Sequence, residues 1–175
     1  MLYIGIDLGT SAVKLLLMDG AGKIQKIVSR EYPLYFPNPG WSEQNPEDWY
    51  TGAVEGLKEL IADCDKSQVA GISFGGQMHG LVILDKDDQV IRPAILWNDG
   101  RTAKETDYLN QEIGKDKLSE YTANIAFAGF TAPKVLWVKN QEPENFARIE
   151  KLRLPEDYVA YRLLGTFCTD VSDAS

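Results

Sequence analysis

The sequence is poor in the residues that staple or metallate small proteins: it has two cysteines, Cys64 and Cys168, and one histidine, His79, in 175 residues. Two cysteines far apart exclude a disulfide framework and offer no metal-ligand spacing. They read as reduced thiols of a cytoplasmic protein. No apolar run approaches the ~20 residues that a membrane helix needs. No amino-terminal leader is expected, because Met1 runs directly into a short strand ending at Asp7. Positive charge is also scarce. Lys and Arg total 18 against 26 Asp and Glu, a net charge of −8, with a pI near 4.7. That balance favours solubility, and with no Lys/Arg stripe it argues against nucleic-acid binding. Internal repeats and low-complexity stretches are absent as well.

What is present is a core-forming composition, 44% hydrophobic and 25% charged, sufficient for one domain. Leu2 to Ile6, Ala12 to Met18 and Lys23 to Tyr32 read as three strands joined by short turns, and therefore as antiparallel neighbours. Pro33 to Asn45 reads as a loop. Asn45-Pro46-Glu47-Asp48 is a helix start, with Asn as the cap, Pro in the first turn and acids at the positive end. The helix buries Trp49, Ala53, Leu57, Leu60 and Ile61. Val69 to Phe74 is the next strand. Leu81 to Leu84 and Val90 to Ile91 flank an Asp85–Asp88 turn as a hairpin. Helical patterns cover Thr102 to Ile113, Lys115 to Tyr121, Thr131 to Asn140, Pro143 to Ile149 and Pro155 to Leu164. Thr166 to Thr169 reads as a closing strand. The order predicts an α/β fold, a mixed sheet with an antiparallel three-strand start and helices packed on it.

Three short runs carry chemistry. In Asp7-Leu8-Gly9-Thr10-Ser11 a carboxylate ends a strand beside Gly, Thr and Ser. Asp7 suits Mg²⁺, and Thr10, Ser11 and the following Lys14 suit phosphate oxygens. The pentad is equally compatible with a plain polar hairpin. It is neither a Walker loop nor a dinucleotide fingerprint, which both need a helix directly after the glycines. Gly75-Gly76-Gln77-Met78-His79-Gly80 follows a buried strand, where ligands of α/β sheets bind. Gln77 and His79 could bond sugar hydroxyls, and Met78 could form an adaptable apolar wall. A lone histidine is usually structural, but here the flanking glycines favour a ligand role. Trp97-Asn98-Asp99-Gly100-Arg101-Thr102 joins an aromatic platform to polar groups. A structural ion pair is favoured for Arg101. Trp97, Asn98 and Asp99 remain open between site, core and cap. On the helix from Thr131, Val135, Trp137 and Val138 read as core.

Together these runs resemble the FGGY carbohydrate kinases, which have the actin-like ATPase (ribonuclease H-like) fold. Asp7 to Ser11 is similar to the family's first phosphate motif, Gly40 to Trp49 to the stretch before its first long helix, and Gly129 to Gln141 to its first signature. Within the family, Gln77 to Gly80, Trp97 to Thr102, Leu154 to Val159 and Thr169 to Ser175 look most like xylulose kinases. Glycerol kinases carry Arg-Glu in place of Met78-His79. The resemblance implies phosphorylation of D-xylulose by ATP, with Mg²⁺ and Asp7 needed for activity and Met78 and His79 on the ketose. The family's catalytic aspartate, adenosine site and second signature belong to sequence after Ser175. Residues 1–175 are therefore expected to be an amino-terminal domain without its nucleotide-binding partner, inactive alone. The expected partners are a sugar and ATP, not nucleic acid or membrane, with a homodimer left open. Two rivals stand beside this reading: a kinase for ribulose, gluconate or glycerol, and a non-catalytic actin-like regulatory module. The kinase reading requires the Asp7 tip and the Met78–His79 corner to face a common cleft.

Overall fold

The computed structural model describes residues 1–170. Strands β1 (Leu2–Leu8), β2 (Ala12–Asp19) and β3 (Ile24–Glu31) form the expected antiparallel meander. Asp7 lies opposite Lys14, and Ala12 opposite Glu31. Alternation along β1 and β2 puts Ile4, Ile6, Leu8, Val13, Leu15 and Leu17 on one face, all buried. Helix α1 (Pro46–Leu60) covers that face. The Asn45 side chain caps it by accepting from Glu47 N at 3.2 Å. Trp49, Ala53 and Leu60 are buried, while Leu57 and Ile61 pack at the margin. Gly52 lets the helix approach closely, since a Cβ there would stand 3.3 Å from Val13 Cγ1. Each fully buried Leu or Ile of this layer contributes about 1.5–3 kcal/mol.

Strand β5 (Val69–Gly76) runs parallel to β1, giving the order β3-β2-β1-β5. The α1 crossover makes that parallel pairing possible. Helix α6 (Pro155–Leu164) adds the buried Tyr158 and Val159 to the same core.

Several local expectations give way to long-range pairing. The Pro33–Asn45 loop contains a two-residue strand, β4 (Glu43–Gln44), paired with β7 (Ala94–Ile95). The ladder partner of β6 (Val82–Leu84) is β8 (Lys151–Arg153). On its other edge β6 keeps the expected hairpin in short form, an antiparallel bridge from Leu84 to Val90 with Asp85 N donating to Gln89 O and Ile91 N to Ile83 O, both at 3.0 Å. A three-residue apolar segment does not specify its partner, and tertiary burial chooses it. The helical run after Thr102 is interrupted: α2 (Ala103–Tyr108) passes into a π-helical turn, Leu109–Gly114, and then α3 (Lys115–Thr122). Helices α4 (Thr131–Gln141) and α5 (Pro143–Phe146) follow. Thr166–Thr169 forms no strand. Phe167 instead stacks on Tyr161 with centroids 3.8 Å apart and carries the Arg153 guanidinium at 4.3 Å. These contacts fold the segment back on α6. A second, smaller core gathers Leu81, Ile83, Ile95, Trp137 and Val138.

Candidate functional site

β1 and β5 are parallel, with Leu8 beside Gly76, so both chains leave the sheet at the same edge. Asp7 is exposed on the face turned away from α1, directly across from the exposed Lys14. The neighbouring β5 positions are Gly71, Ser73 and Gly75. Ser73 and the side-chain-free Gly75 leave room for a cavity of about 420 Å³, lined by Asp7, Lys14, Leu16 and Ile27 among others.

The turn after β1 is held from behind by the protein. Gly9 N donates to Ala12 O at 3.1 Å, and the Tyr32 hydroxyl donates to Gly9 O. Burial, reinforced by the Asp7 charge, pushes the Tyr32 hydroxyl well above its ordinary pKa, so it remains a donor. Gln44, fully buried, donates through Nε2 to Thr10 O at 2.7 Å and to Pro33 O at 3.2 Å. Its Oε1 accepts from Trp49 Nε1 at 3.0 Å and Gln77 Nε2 at 3.2 Å. All four hydrogen-bonding positions of one amide are thus filled. They tie the phosphate-like turn to α1 and to the end of β5.

Gln77, read from the sequence as able to bond sugar hydroxyls, is turned into the framework at its amide nitrogen. It is buried, its backbone N donates to Leu8 O at 2.7 Å, and its side-chain N–H is used on Gln44. The Gln77 Oε1 has no hydrogen-bond partner among the described residues. Met78 is 48% exposed. At His79 the chain turns sharply: Gly80 N donates to Met78 O at 2.8 Å across a residue with φ 59°. The left-handed backbone falls on the histidine and not on the glycines around it. A side-chain-bearing residue in this region costs of order 1–3 kcal/mol and persists only when its surroundings hold it. Here the His79 carbonyl accepts from Thr131 Oγ1 at 3.2 Å and Lys134 Nζ at 2.6 Å. The His79 ring lies on Phe130, centroids 4.3 Å apart.

Trp97 is 44% exposed, which removes it from the core. Its Nε1 donates to Thr10 Oγ1 at 3.0 Å. Asn98 is exposed, whereas Asp99 turns inward. The Asp99 carboxylate accepts from Ser42 N at 2.6 Å, from Arg101 N and Nε at 2.9 Å, and from Arg101 NH2 at 2.8 Å. Arg101 also pairs with Glu43 at 2.7 Å and lies 3.8 Å over the Trp41 ring. Asp99 and Arg101 therefore form a buried structural pair, as favoured for Arg101. Thr102 bonds Ala128 O at 2.9 Å. Trp137 and Val138 are core, and Val135 is half-buried.

The structure thus brings the Thr10 turn, the Met78–His79 corner and Trp97 to one edge, through Gln44–Gln77 and Thr10–Trp97. Met78, His79 and Trp97 do not line the cavity beside Asp7. Two residues gained no role from the sequence, Gln44 and Lys134. Lys134 is fully buried, on the stripe of Pro133, Trp137 and Val138. Its Nζ bonds His79 O and Gly129 O, both at 2.6 Å. Burial pushes its pKa down to about 7, opposed by Asp99 and aided by Arg101. The available signal was a lysine in register with an apolar helical stripe. Val171 to Ser175, part of one resemblance, lie outside the described residues.

The model of the FGGY family of carbohydrate kinases, N-terminal domain, matches residues 2–175. The chain is 49% identical over 174 residues to a xylulose kinase of Bacillus subtilis, covering 98% of this chain and 35% of that protein. The crystal structure of a xyloylose kinase from Brucella ovis superposes with a TM-score of 0.93 at 43% identity, covering 99% of this chain and 36% of that one. A gluconate kinase from Lactobacillus acidophilus gives a TM-score of 0.92 at 29% identity, with coverages of 99% and 35%. The chain therefore spans little more than a third of the length of these relatives. Mixed sheet, crossover helix and neighbours agree on the actin-like ATPase fold, and this chain belongs to the FGGY family of carbohydrate kinases.

Proposed function

We propose that residues 1–175 are the amino-terminal domain of a longer ATP-dependent kinase that converts D-xylulose to D-xylulose 5-phosphate. The observation that carries this reading is the 3.0 Å bond from Trp97 Nε1 to Thr10 Oγ1. It ties the exposed Trp97 ring to the turn assigned to phosphate. D-xylulose as the acceptor is supported by the Met78–His79 pair and by the 49% identity to a xylulose kinase.

In the reaction, the terminal hydroxyl oxygen of the ketose bonds to the γ-phosphorus of ATP as the bond to the β–γ bridging oxygen breaks. ADP leaves, and the hydroxyl proton passes to a base that we place after Ser175. Thr10 Oγ1 accepts the indole N–H and keeps its own proton for a phosphate oxygen. Ser11 and Lys14, both exposed, complete the positive and donating side of the turn. Asp7 is an exposed carboxylate, and among the described residues no group of three or more His, Cys, Asp or Glu could cage a metal. That fits Mg²⁺, which keeps its waters and substrate phosphates and needs one or two carboxylates. When bound it would neutralise phosphate charge. The protein's share is positioning and electrostatics. Among the described residues no helix is long and apolar enough to cross a membrane. We place the enzyme in the cytoplasm, where the free thiols of Cys64 and Cys168 stay reduced.

The test is ADP release by the full-length enzyme with a panel of D-xylulose, D-ribulose, gluconate and glycerol. D-xylulose should lead in kcat/KM by ~100-fold, a gap that hydrogen-bonding sites can reach. His79→Ala should chiefly raise the sugar KM, and residues 1–175 alone should show no turnover. Preference for gluconate would favour the reading suggested by the Lactobacillus acidophilus structure. Xylulose-dependent ATP consumption by residues 1–175 alone would overturn the division of labour between the two domains.

A further inference from the structure

Lysine is among the costliest side chains to bury without a partner, yet Lys134 is fully buried. Among the described residues it forms no ion pair with a carboxylate. Its Nζ instead donates to two backbone carbonyls, His79 O and Gly129 O, each at 2.6 Å. The first belongs to the corner assigned to the sugar, the second to the segment that leads into α4. His79 is the strained residue of that corner, with φ 59°, centred in the turn closed by Gly80 N and Met78 O at 2.8 Å. Gly129 lies against the Trp97 backbone: a Cβ there would stand 2.5 Å from Trp97 O. Thr131 Oγ1, one turn before Lys134 on α4, bonds the same His79 carbonyl at 3.2 Å. One amine therefore pins the His79 turn to the segment that backs Trp97, and a hydroxyl of the same helix seconds it.

We infer that Lys134 is a positioning residue of the sugar site, which holds the His79 corner and the Gly129 segment in the arrangement that presents Met78, His79 and Trp97 together. This rests on the assignment of Met78 and His79 to the ketose. The apolar alternative at this helical position would fill the space but take the Lys134 donor from the Gly129 carbonyl and leave the His79 carbonyl to Thr131 Oγ1. The strained turn would then be free to relax into an ordinary backbone conformation. Displacing a binding group by a fraction of an ångström to 1 Å costs up to ~100-fold in turnover efficiency.

The test uses steady-state kinetics of the full-length enzyme carrying Lys134→Met, Thr131→Val and His79→Ala, and the Lys134→Met/His79→Ala pair. Lys134→Met should raise the D-xylulose KM about tenfold, with the ATP KM and the circular-dichroism spectrum unchanged. Thr131→Val should shift the same parameter in the same direction by about 2–5-fold, the size of one lost hydrogen bond. In the His79→Ala background the Lys134→Met effect should shrink at least about threefold, because the two act through one corner. Wild-type sugar KM in Lys134→Met, a parallel rise in both substrates' KM, or full additivity with His79→Ala overturns the inference. If Lys134→Met does not fold, Thr131→Val decides, and an unchanged sugar KM in that variant overturns it. Unaltered sugar dependence in His79→Ala itself refutes the underlying assignment of the corner and is read separately, from that single variant.

Discussion

Replacing Arg101 with Met would remove the charge at the centre of a buried network while keeping much of the side-chain volume. The Arg101 side chain is 1% exposed and that of Asp99 0%. In the variant, Glu43 keeps its ion pair with Arg92. Asp99 keeps only backbone donors, from Ser42 and from residue 101 itself. It becomes a buried carboxylate that has lost its paired guanidinium, a change that costs about 3–5 kcal/mol. Loss of the guanidinium from the Trp41 face, at 3.8 Å, adds to this by up to about 2 kcal/mol. Urea unfolding of the full-length protein, followed by tryptophan fluorescence, reads the effect close to its source, because Trp41 and Trp137 both border Arg101. With a slope of about 2 kcal/mol per molar urea, a loss of 3–5 kcal/mol lowers the midpoint of the transition that reports this domain by ~1.5–2.5 M. Adding Asp99→Asn to Arg101→Met should recover part of that loss, since the unpaired charge is then gone. A shift below about 0.5 M, or a double variant less stable than Arg101→Met, would refute the account of an orphaned carboxylate.

Two further outcomes follow from single contacts. Asn45→Ala removes the side-chain oxygen that accepts from Glu47 N and should lower stability by about 1 kcal/mol; faster hydrogen exchange in the first turn of α1 checks it, and unchanged exchange there counts against the cap. Lys134 has its folded pKa lowered to about 7 from 10.5, so between these values folding releases a proton and stability rises with pH. From pH 7 to pH 9 wild type should gain about 2 kcal/mol relative to Lys134→Met. The gain ends near the unfolded value, and the full cost returns below pH 7. The neutral amine retains two N–H groups for its two carbonyls, so the clamp survives deprotonation. Parallel pH–stability curves for wild type and variant would show that the amine stays charged.

Local chemistry made much of this protein legible. The meander of β1 to β3 follows from alternation and a Gly-containing turn, and the start of α1 from Asn45-Pro46 with acids behind it. Asp7 and Lys14 sit where strand ends and turn residues put them. The short strands were another matter. Glu43–Gln44 and Lys151–Arg153 have too few residues to carry a period of their own. Their pairing with Ala94–Ile95 and Val82–Leu84 is a decision of the assembled core.

The same division runs through the site. Sequence marked Met78 and His79 by residue type between glycines, because turns have a local signature, and left Trp97 open. Tertiary structure alone decided that Gln77 faces Gln44, that Asp99 faces Arg101 and Ser42, and that Lys134 reaches two carbonyls. A side chain's partner is set by which distant segment fills the space beside it, and burial makes that partner obligatory: a polar group removed from water must bond to whatever the fold has brought there.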